Sequence, residues 1–277
     1  MNQKILDLYS DYLLSSFGQT TATGLSKLMG GEISHDQVTR MLSSSKMTSK
    51  EWWKLVKPHV RKIEQEDGVM IIDDSIVEKP YTDENELICW HYDHAQGKTV
   101  KGINFVSTLY CAQEVALPVA FELVSKTETY IDKKTGKEKR KSKVTKNERY
   151  RQMLKMVCNN QIPFHYVLND LWFASAENMR YVKLDLEKEF IMALKSNRKV
   201  ALSEDDKANG RYQRIDQLTL PEDTTLTIYL RGVHRQIERV GIVDQIRVSC
   251  NRDQSVTGEP DGSTNSYRLC QPYHYLI

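Results

Sequence analysis

Gly68-Val69-Met70-Ile71-Ile72-Asp73-Asp74-Ser75-Ile76-Val77-Glu78-Lys79-Pro80 decides the fold of this chain. Four apolar residues run from a glycine straight into two adjacent carboxylates, the pattern of a strand buried on both faces. An ionised carboxylate in a dry interior costs many kcal/mol unless it is paired or binds a cation. The acids therefore belong at the strand's end. Two readings fit this stretch alone: a solvated turn after a core strand, or a metal site at the tip of a central strand.

The design repeats farther along. His165-Tyr166-Val167-Leu168-Asn169-Asp170-Leu171-Trp172-Phe173 is a short β-prone run ending in an acid, and Ser175 is placed to cap a helix from Ala176. Asp73 or Asp74, with Asp170, can then meet at the tips of neighbouring strands. Carboxylates sharing a site repel one another and raise a pKa unless a divalent cation screens them. Hard oxygen ligands suit Mg or Mn.

Around these stretches the composition is ordinary for a globular protein. The chain has 277 residues, 40% hydrophobic and 27% charged, with a net charge of +2, enough for one large core and a small accessory domain. No apolar run approaches the roughly 20 residues that span a bilayer. The opening Met1-Asn2-Gln3-Lys4 leads into an amphipathic helix rather than a signal sequence. Cys89, Cys111, Cys158, Cys250 and Cys270 show neither metal-ligand nor redox spacing, which fits reduced thiols in a cytoplasmic protein.

Residues 1–67 read as a helical module. Ile5, Leu8, Tyr9, Tyr12, Leu13 and Phe17 fall at helical spacing up to Gly18, and Ser34-His35-Asp36-Gln37 has the form of a capping box. Short helices joined through Gly30-Gly31 fit a DNA-binding helix-turn-helix with His35, Gln37, Thr39 and Arg40 toward DNA, and equally a plain helical hairpin. A second capping box, Thr48-Ser49-Lys50-Glu51, opens a basic helix that Pro58 bends or interrupts, and residues 64–68 form a polar hinge.

Residues 68–197 read as an α/β core in the order β-β-β-α-β-α-β. Lys101 to Tyr110 and Val115 to Val124 supply two strands turning at residues 111–114, so the first three strands are antiparallel neighbours. Trp90-His91-Tyr92-Asp93-His94 reads as polar loop beside the site, or as a His-x-x-His zinc pair lacking further ligands. Residues 133–146 form a basic loop, with Lys137, Lys139, Arg140, Lys141 and Lys143 able to neutralise DNA phosphates.

This order resembles the ribonuclease H-like core of DDE-type insertion-sequence transposases. So do Ile72-Asp73-Asp74-Ser75 with Glu78-Lys79, Trp90-His91-Tyr92-Asp93-His94 and Val100-Lys101-Gly102-Ile103-Asn104 as its second strand and approach, and Val167-Leu168-Asn169-Asp170-Leu171-Trp172-Phe173. The resemblance covers most of residues 1 to 248. It implies cutting and joining of double-stranded DNA at transposon ends and target, with two Mg (or Mn) ions and a possible homodimer on DNA. Within it, Asp73 and Asp170 are the catalytic ligands and Asp74 the reserve, since an acid of this family usually precedes one variable residue and then Ser or Thr.

The tail departs from that family. Residues 198–249 fit its β-rich insertion, but the helix-borne third acid, a Glu, is not recognisable in residues 250–277, which read as an irregular tail with Gly258, Pro260, Gly262 and Pro272. The expectation is a truncated copy of doubtful activity. The alternative function is a non-catalytic remnant that still binds element ends.

Overall fold

The computed structural model describes residues 3–18, 20–44, 48–93, 96–218, 225–231, 238–242 and 275–276. The chain divides into two compact units, Met1–Glu51 and Trp52–Ile277.

The first unit holds helices α1 (Gln3–Ser15), α2 (Ala22–Leu28) and α3 (His35–Ser43). Ile5, Leu25, Ile33, Val38 and Met41 make its small core. Helix α3 starts at the capping box read from the sequence, and α2 has a cap of its own. Thr21 accepts from the Gly24 N–H at 2.9 Å, and Ser34 and Gln37 complete a capping box. Gly30 and Gly31 take φ values of 60° and 84° between α2 and α3, a region glycine enters without penalty.

Helix α4 (Ser49–Ile63) begins in the first unit, and from Trp52 onward it belongs to the second. Pro58 lies inside it without ending it. Trp53, Val56 and Val60 enter the main core. The polar turn that follows is tied down: the Gln65 N–H donates to the Tyr110 hydroxyl at 2.8 Å, and Arg61 donates to the Asn160 and Gln161 carbonyls at 2.7 and 2.8 Å.

The second unit continues with β1 (Val69–Glu78), β2 (Ile88–Asp93), β3 (Lys98–Ala112), β4 (Val115–Leu123), β5 (Glu128–Ile131) and β6 (Glu138–Lys141). Then come α5 (Lys146–Asn159), β7 (Tyr166–Asn169), α6 (Ala176–Arg180), a π-helical turn (Tyr181–Asp185) and β8 (Glu189–Leu194). β1 is antiparallel to β3 and parallel to β7, β7 is parallel to β8, and β4 is antiparallel to β3. The order β4-β3-β1-β7-β8, with helices α5 and α6 in the crossovers, is the ribonuclease H-like arrangement.

Local chemistry explains the sheet. Met70 and Ile72 are fully buried, contributing about 1.5–3 kcal/mol each by burial. Gln113 and Glu114 both take positive φ, 50° and 63°, in the two-residue turn between β3 and β4, the signature of a type I′ hairpin. At Gly102 a Cβ would lie 2.3 Å from the Val77 carbonyl oxygen, so glycine permits the close approach of β1 and β3.

Three segments differ from expectation. The first strand does not end at its acids: pairing with β3 carries β1 on to Glu78, with Asp73 opposite Ser107 and Asp74 opposite Val106. Residues 88–93 are a strand, β2, which pairs with the start of β3; Cys89 and His91 point inward while Trp90 and Tyr92 are exposed, so the alternation is genuine although an inward position carries a histidine. The basic stretch is not a loop throughout but a separate hairpin, β5 with β6.

The remaining elements are β9 (Lys199–Ala201), α7 (Glu204–Ala208), β10 (Gln213–Arg214), a 3-10 turn (Ile215–Gln217), β11 (Thr225–Leu230), β12 (Glu238–Ile242) and β13 (Tyr275–Leu276). They extend the sheet beyond β8, where β13 pairs with both β8 and β12. Residues 250–277, where no third acid is recognisable in the sequence, lie outside the described residues except for Tyr275 and Leu276.

Candidate active site

The parallel register of β1 and β7 places the site. Ile72 pairs with Asn169, so the next step sets Asp73 beside Asp170. Side chains alternate along a strand. Asp73 and Asp170 therefore share one phase, and Asp74 shares the other with Met70, Ile72 and Asn169.

The second phase is occupied. The Asp74 carboxylate accepts from the Lys146 ammonium at 2.6 Å and from the Asn104 side-chain amide at 2.8 Å. Lys146 is the first residue of α5, whose N-cap is Thr145. Asn169 is buried and accepts from the Tyr150 hydroxyl at 3.0 Å. Tyr150 stacks on Phe173 with ring centroids 5.4 Å apart, and its burial pushes its own pKa up. Buried Asn178 donates to the Asn147 side chain and to the Phe173 carbonyl, both at 2.9 Å, which joins the start of α5 to the loop after Asp170.

The first phase is electrostatically unsettled. Burial of its carboxyl, reinforced by the charges of Asp170 and Asp74, pushes Asp73 up to about 6, against the pull of the Asp74 N–H and Lys146. The Asp73 residue still keeps an exposed side, so the crowding is one-sided. Burial also raises Asp170, which feels the charge of Asp74, although its carboxylate accepts from the Trp172 N–H at 3.0 Å. Three acids thus sense one another around a solvent-facing opening.

The donor set is hard oxygen, which fits Mg or Mn. The raised acids mark repulsion that a divalent cation relieves. Among the described residues, however, no three His, Cys, Asp or Glu side chains are grouped closely enough to hold a metal ion. Asp73 and Asp170 suit part of such a site, with Asp74 committed to Lys146.

The other expected residues stand apart. His91 is buried, its ring nitrogen 3.3 Å from the Cys89 sulfur. Burial and the nearby Lys126 and Lys146 pull it down to about 4, so it is neutral; His94 lies outside the described residues. In the hairpin, Lys139 pairs with Asp132, Arg140 with Glu84 at 3.4 Å and Lys141 with Glu128 at 3.3 Å. Lys137 and Lys143 are exposed.

In the first unit, His35, Gln37, Thr39 and Arg40 are all exposed on α3. The Gln37 side chain is used in the cap, the Thr39 hydroxyl donates to the His35 carbonyl at 2.9 Å, and His35 lies 3.3 Å from Asp36. Arg40 Nε donates to the Asp36 carbonyl at 3.3 Å. Sequence reasoning missed Lys146, Asn104 and Tyr150, whose roles depend on contacts between distant segments.

This sheet order, with acids directly after the last paired residues of β1 and β7, is that of a ribonuclease H-like domain. The family model described as DDE superfamily endonuclease matches residues 2–226, and the chain belongs to that family. Endonucleases of this superfamily generally use divalent metal ions. Among solved structures, the Drosophila P element transposase strand transfer complex is similar at 11% identity and TM-score 0.32, over 64% of this chain and 36% of that one. The Mos1 transposase paired-end complex with left transposon end is similar at 14% identity and TM-score 0.24, over 67% of this chain and 57% of that one. The chain therefore spans about a third of the first and somewhat over half of the second, and likeness at these scores adds nothing to the family assignment. No curated protein sequence matches the chain. Among the described residues no helix is long and apolar enough to cross a membrane.

Proposed function

We propose that this protein is an insertion-sequence transposase that cuts and joins double-stranded DNA at the element's ends, acting in the cytoplasm as a homodimer on DNA. One observation carries the reading: Asp73 and Asp170 directly follow Ile72 and Asn169, the last paired residues of β1 and β7, and both have a raised pKa. Raised, mutually sensed carboxylates in a cleft are candidates for function.

In this reading Asp73 and Asp170 hold two Mg or Mn ions, and Asp74 orients Lys146. Bound there, divalent ions supply Lewis-acid activation of the attacking water or 3′-hydroxyl and stabilise the leaving oxygen. The Trp172 N–H fixes Asp170, and the Lys146 ammonium offers charge to a phosphate. Lys137, Lys139, Arg140, Lys141 and Lys143 contact DNA backbone, and α3 presents His35, Gln37, Thr39 and Arg40 to the element's end.

The test is Mn-dependent nicking of plasmid DNA carrying element ends. Wild type should nick, and Asp73→Asn and Asp170→Asn should each lose more than about a hundredfold in rate, as expected when an ion's position is no longer fixed. Equal nicking by all three proteins sinks the assignment. The second reading, a DNA-binding protein without cleavage, is favoured by the lack of three grouped metal-binding side chains among the described residues. A gel shift on element ends with no nicking in wild type would select it.

A further inference from the structure

Beside the acids lies a cavity of about 360 Å³ lined by Trp90, Tyr92, Lys126, Ser142, Lys146 and Trp172, among others. Its volume falls within the roughly 300–1,000 Å³ typical of ligand sites. Trp90, Tyr92 and Trp172 are 53%, 54% and 45% exposed, so three large aromatic rings border one opening. Exposed aromatics gathered at a cavity mark a binding surface more than a core.

The cavity is also cationic. The Lys126 ammonium donates to the Trp90 carbonyl at 2.5 Å, which fixes it beside that residue. Lys146 lies 5.6 Å from the centroid of the Trp172 ring. Residues 145–147, the cap and first positions of α5, line the wall and add the positive end of a 14-residue helix. The Ser142 hydroxyl is buried there with no hydrogen-bond partner among the described residues. A buried hydroxyl left unsatisfied carries a cost, which a ligand's polar edge would remove.

We propose that this cavity seats one unpaired nucleotide of the DNA strand, its ring against Trp90 and Trp172, its phosphate on Lys126 and Lys146, and a polar atom on Ser142. The proposal deepens the DNA-cutting reading above and rests on it. A free phosphate would leave the rings unused. A duplex keeps its base faces stacked inside and offers none to a tryptophan, whereas an unpaired base of any sequence presents a π-face. The cavity and the acids share parts: Trp172 anchors Asp170 through its backbone N–H, and Lys146 is held by Asp74. The seated nucleotide therefore lies next to the strand position the acids would address.

The experiment measures binding of a short 5′-phosphorylated, labelled oligothymidylate to the full chain by fluorescence anisotropy, in EDTA, beside the same strand annealed to its complement. Wild type should prefer the single strand. Trp90→Ala and Lys126→Gln should each weaken single-strand binding roughly tenfold and leave duplex binding unchanged, while Lys126→Arg keeps it. Melting curves confirm that the variants fold, and Trp172→Leu is a second ring variant if Trp90→Ala does not. Asp170→Asn should bind the oligothymidylate at least as well as wild type, so loss of the cleavage reading leaves this result intact. Unchanged binding in both Trp90→Ala and Lys126→Gln overturns the site. So does binding that inorganic phosphate abolishes and ring substitutions do not touch.

Discussion

Two charged regions of the second unit solve opposite problems. In the β5–β6 hairpin each of Lys139, Arg140 and Lys141 has an acidic neighbour, and the Lys139 pairing draws Asp132 down and Lys139 up. Every shift there favours the charged form. Where the pairing of β1 with β7 ends, the shifts run the other way: burial and like charge push Asp73 and Asp170 toward the neutral form. The hairpin is electrostatically at rest, and the acids between β1 and β7 are not. An arrangement that is unfavourable in the bare protein becomes favourable when a cation arrives, which is why sites and stable surfaces look different in charge balance.

The sharpest test separates the two faces of β1. Asp73 in the folded protein holds its proton up to about 6, against 3.8 for an unperturbed carboxyl. Across that window the folded state binds more protons than the unfolded, so stability falls as pH rises, and the deficit is complete above 6. At pH 8 without metal, Asp73→Asn should melt higher than wild type, and Mn should raise the melting temperature of wild type only. Asp74→Asn should instead keep Mn affinity within a few-fold while losing about 1–2 kcal/mol of stability, because Lys146 loses a part-buried partner. Calorimetric Mn titration of both variants checks this. Loss of Mn binding in Asp74→Asn and retention in Asp73→Asn would reverse the assignment.

How much of this was legible follows from the same physics. An unbroken apolar run leading into acids marks a central strand, so β1 and β7 could be read from residues 68–80 and 165–173, but the pairing with β3 that carries β1 past its acids to Glu78 could not. The two-residue turn at Gln113 and Glu114 lies within the expected stretch. β2 was hidden because its inward position holds His91, a polar residue that breaks the apparent alternation. β5 and β6 are four residues each and almost wholly exposed, so no buried face marks them. The ion pair of Asp74 with Lys146 and the nucleotide-sized cavity join segments that only the fold brings together, and nothing local encodes them.

His91 offers a smaller effect next to the acids. It is buried and stays neutral down to about 4, whereas the unfolded ring takes a proton near 6.5. Between those values the unfolded state binds more protons, so the protein loses stability as pH falls from 6.5 toward 4. The full loss is on the order of 3 kcal/mol. His91→Gln should remove this contribution, leave the opposite trend of Asp73 uncompensated so that the melting temperature falls as pH rises from 4 to 6, and leave Mn affinity unchanged. An unaltered pH slope would show that the imidazole is not kept from charging. This trend opposes that of Asp73, so the two largely cancel in wild type, each single variant should be steeper, and the double variant with Asp73→Asn should return to a shallow dependence.

The hairpin should respond least in stability and most in salt dependence. Its pairs are exposed, and exposed ion pairs contribute little because water and salt screen them and side-chain entropy opposes them. Arg140→Gln should move the melting temperature by no more than roughly a degree or two. Removing a cation that neutralises a DNA phosphate, however, lowers the slope of log affinity against log salt by about 1. Arg140→Gln and Lys141→Gln combined should therefore reduce the salt slope of DNA binding by about 2, if these side chains exchange Glu84 and Glu128 for phosphates. Anisotropy titrations over a range of KCl concentrations measure this. An unchanged slope would mean that the cations stay with their acidic neighbours, and that the hairpin's charge balance is its end state and not a reserve for DNA.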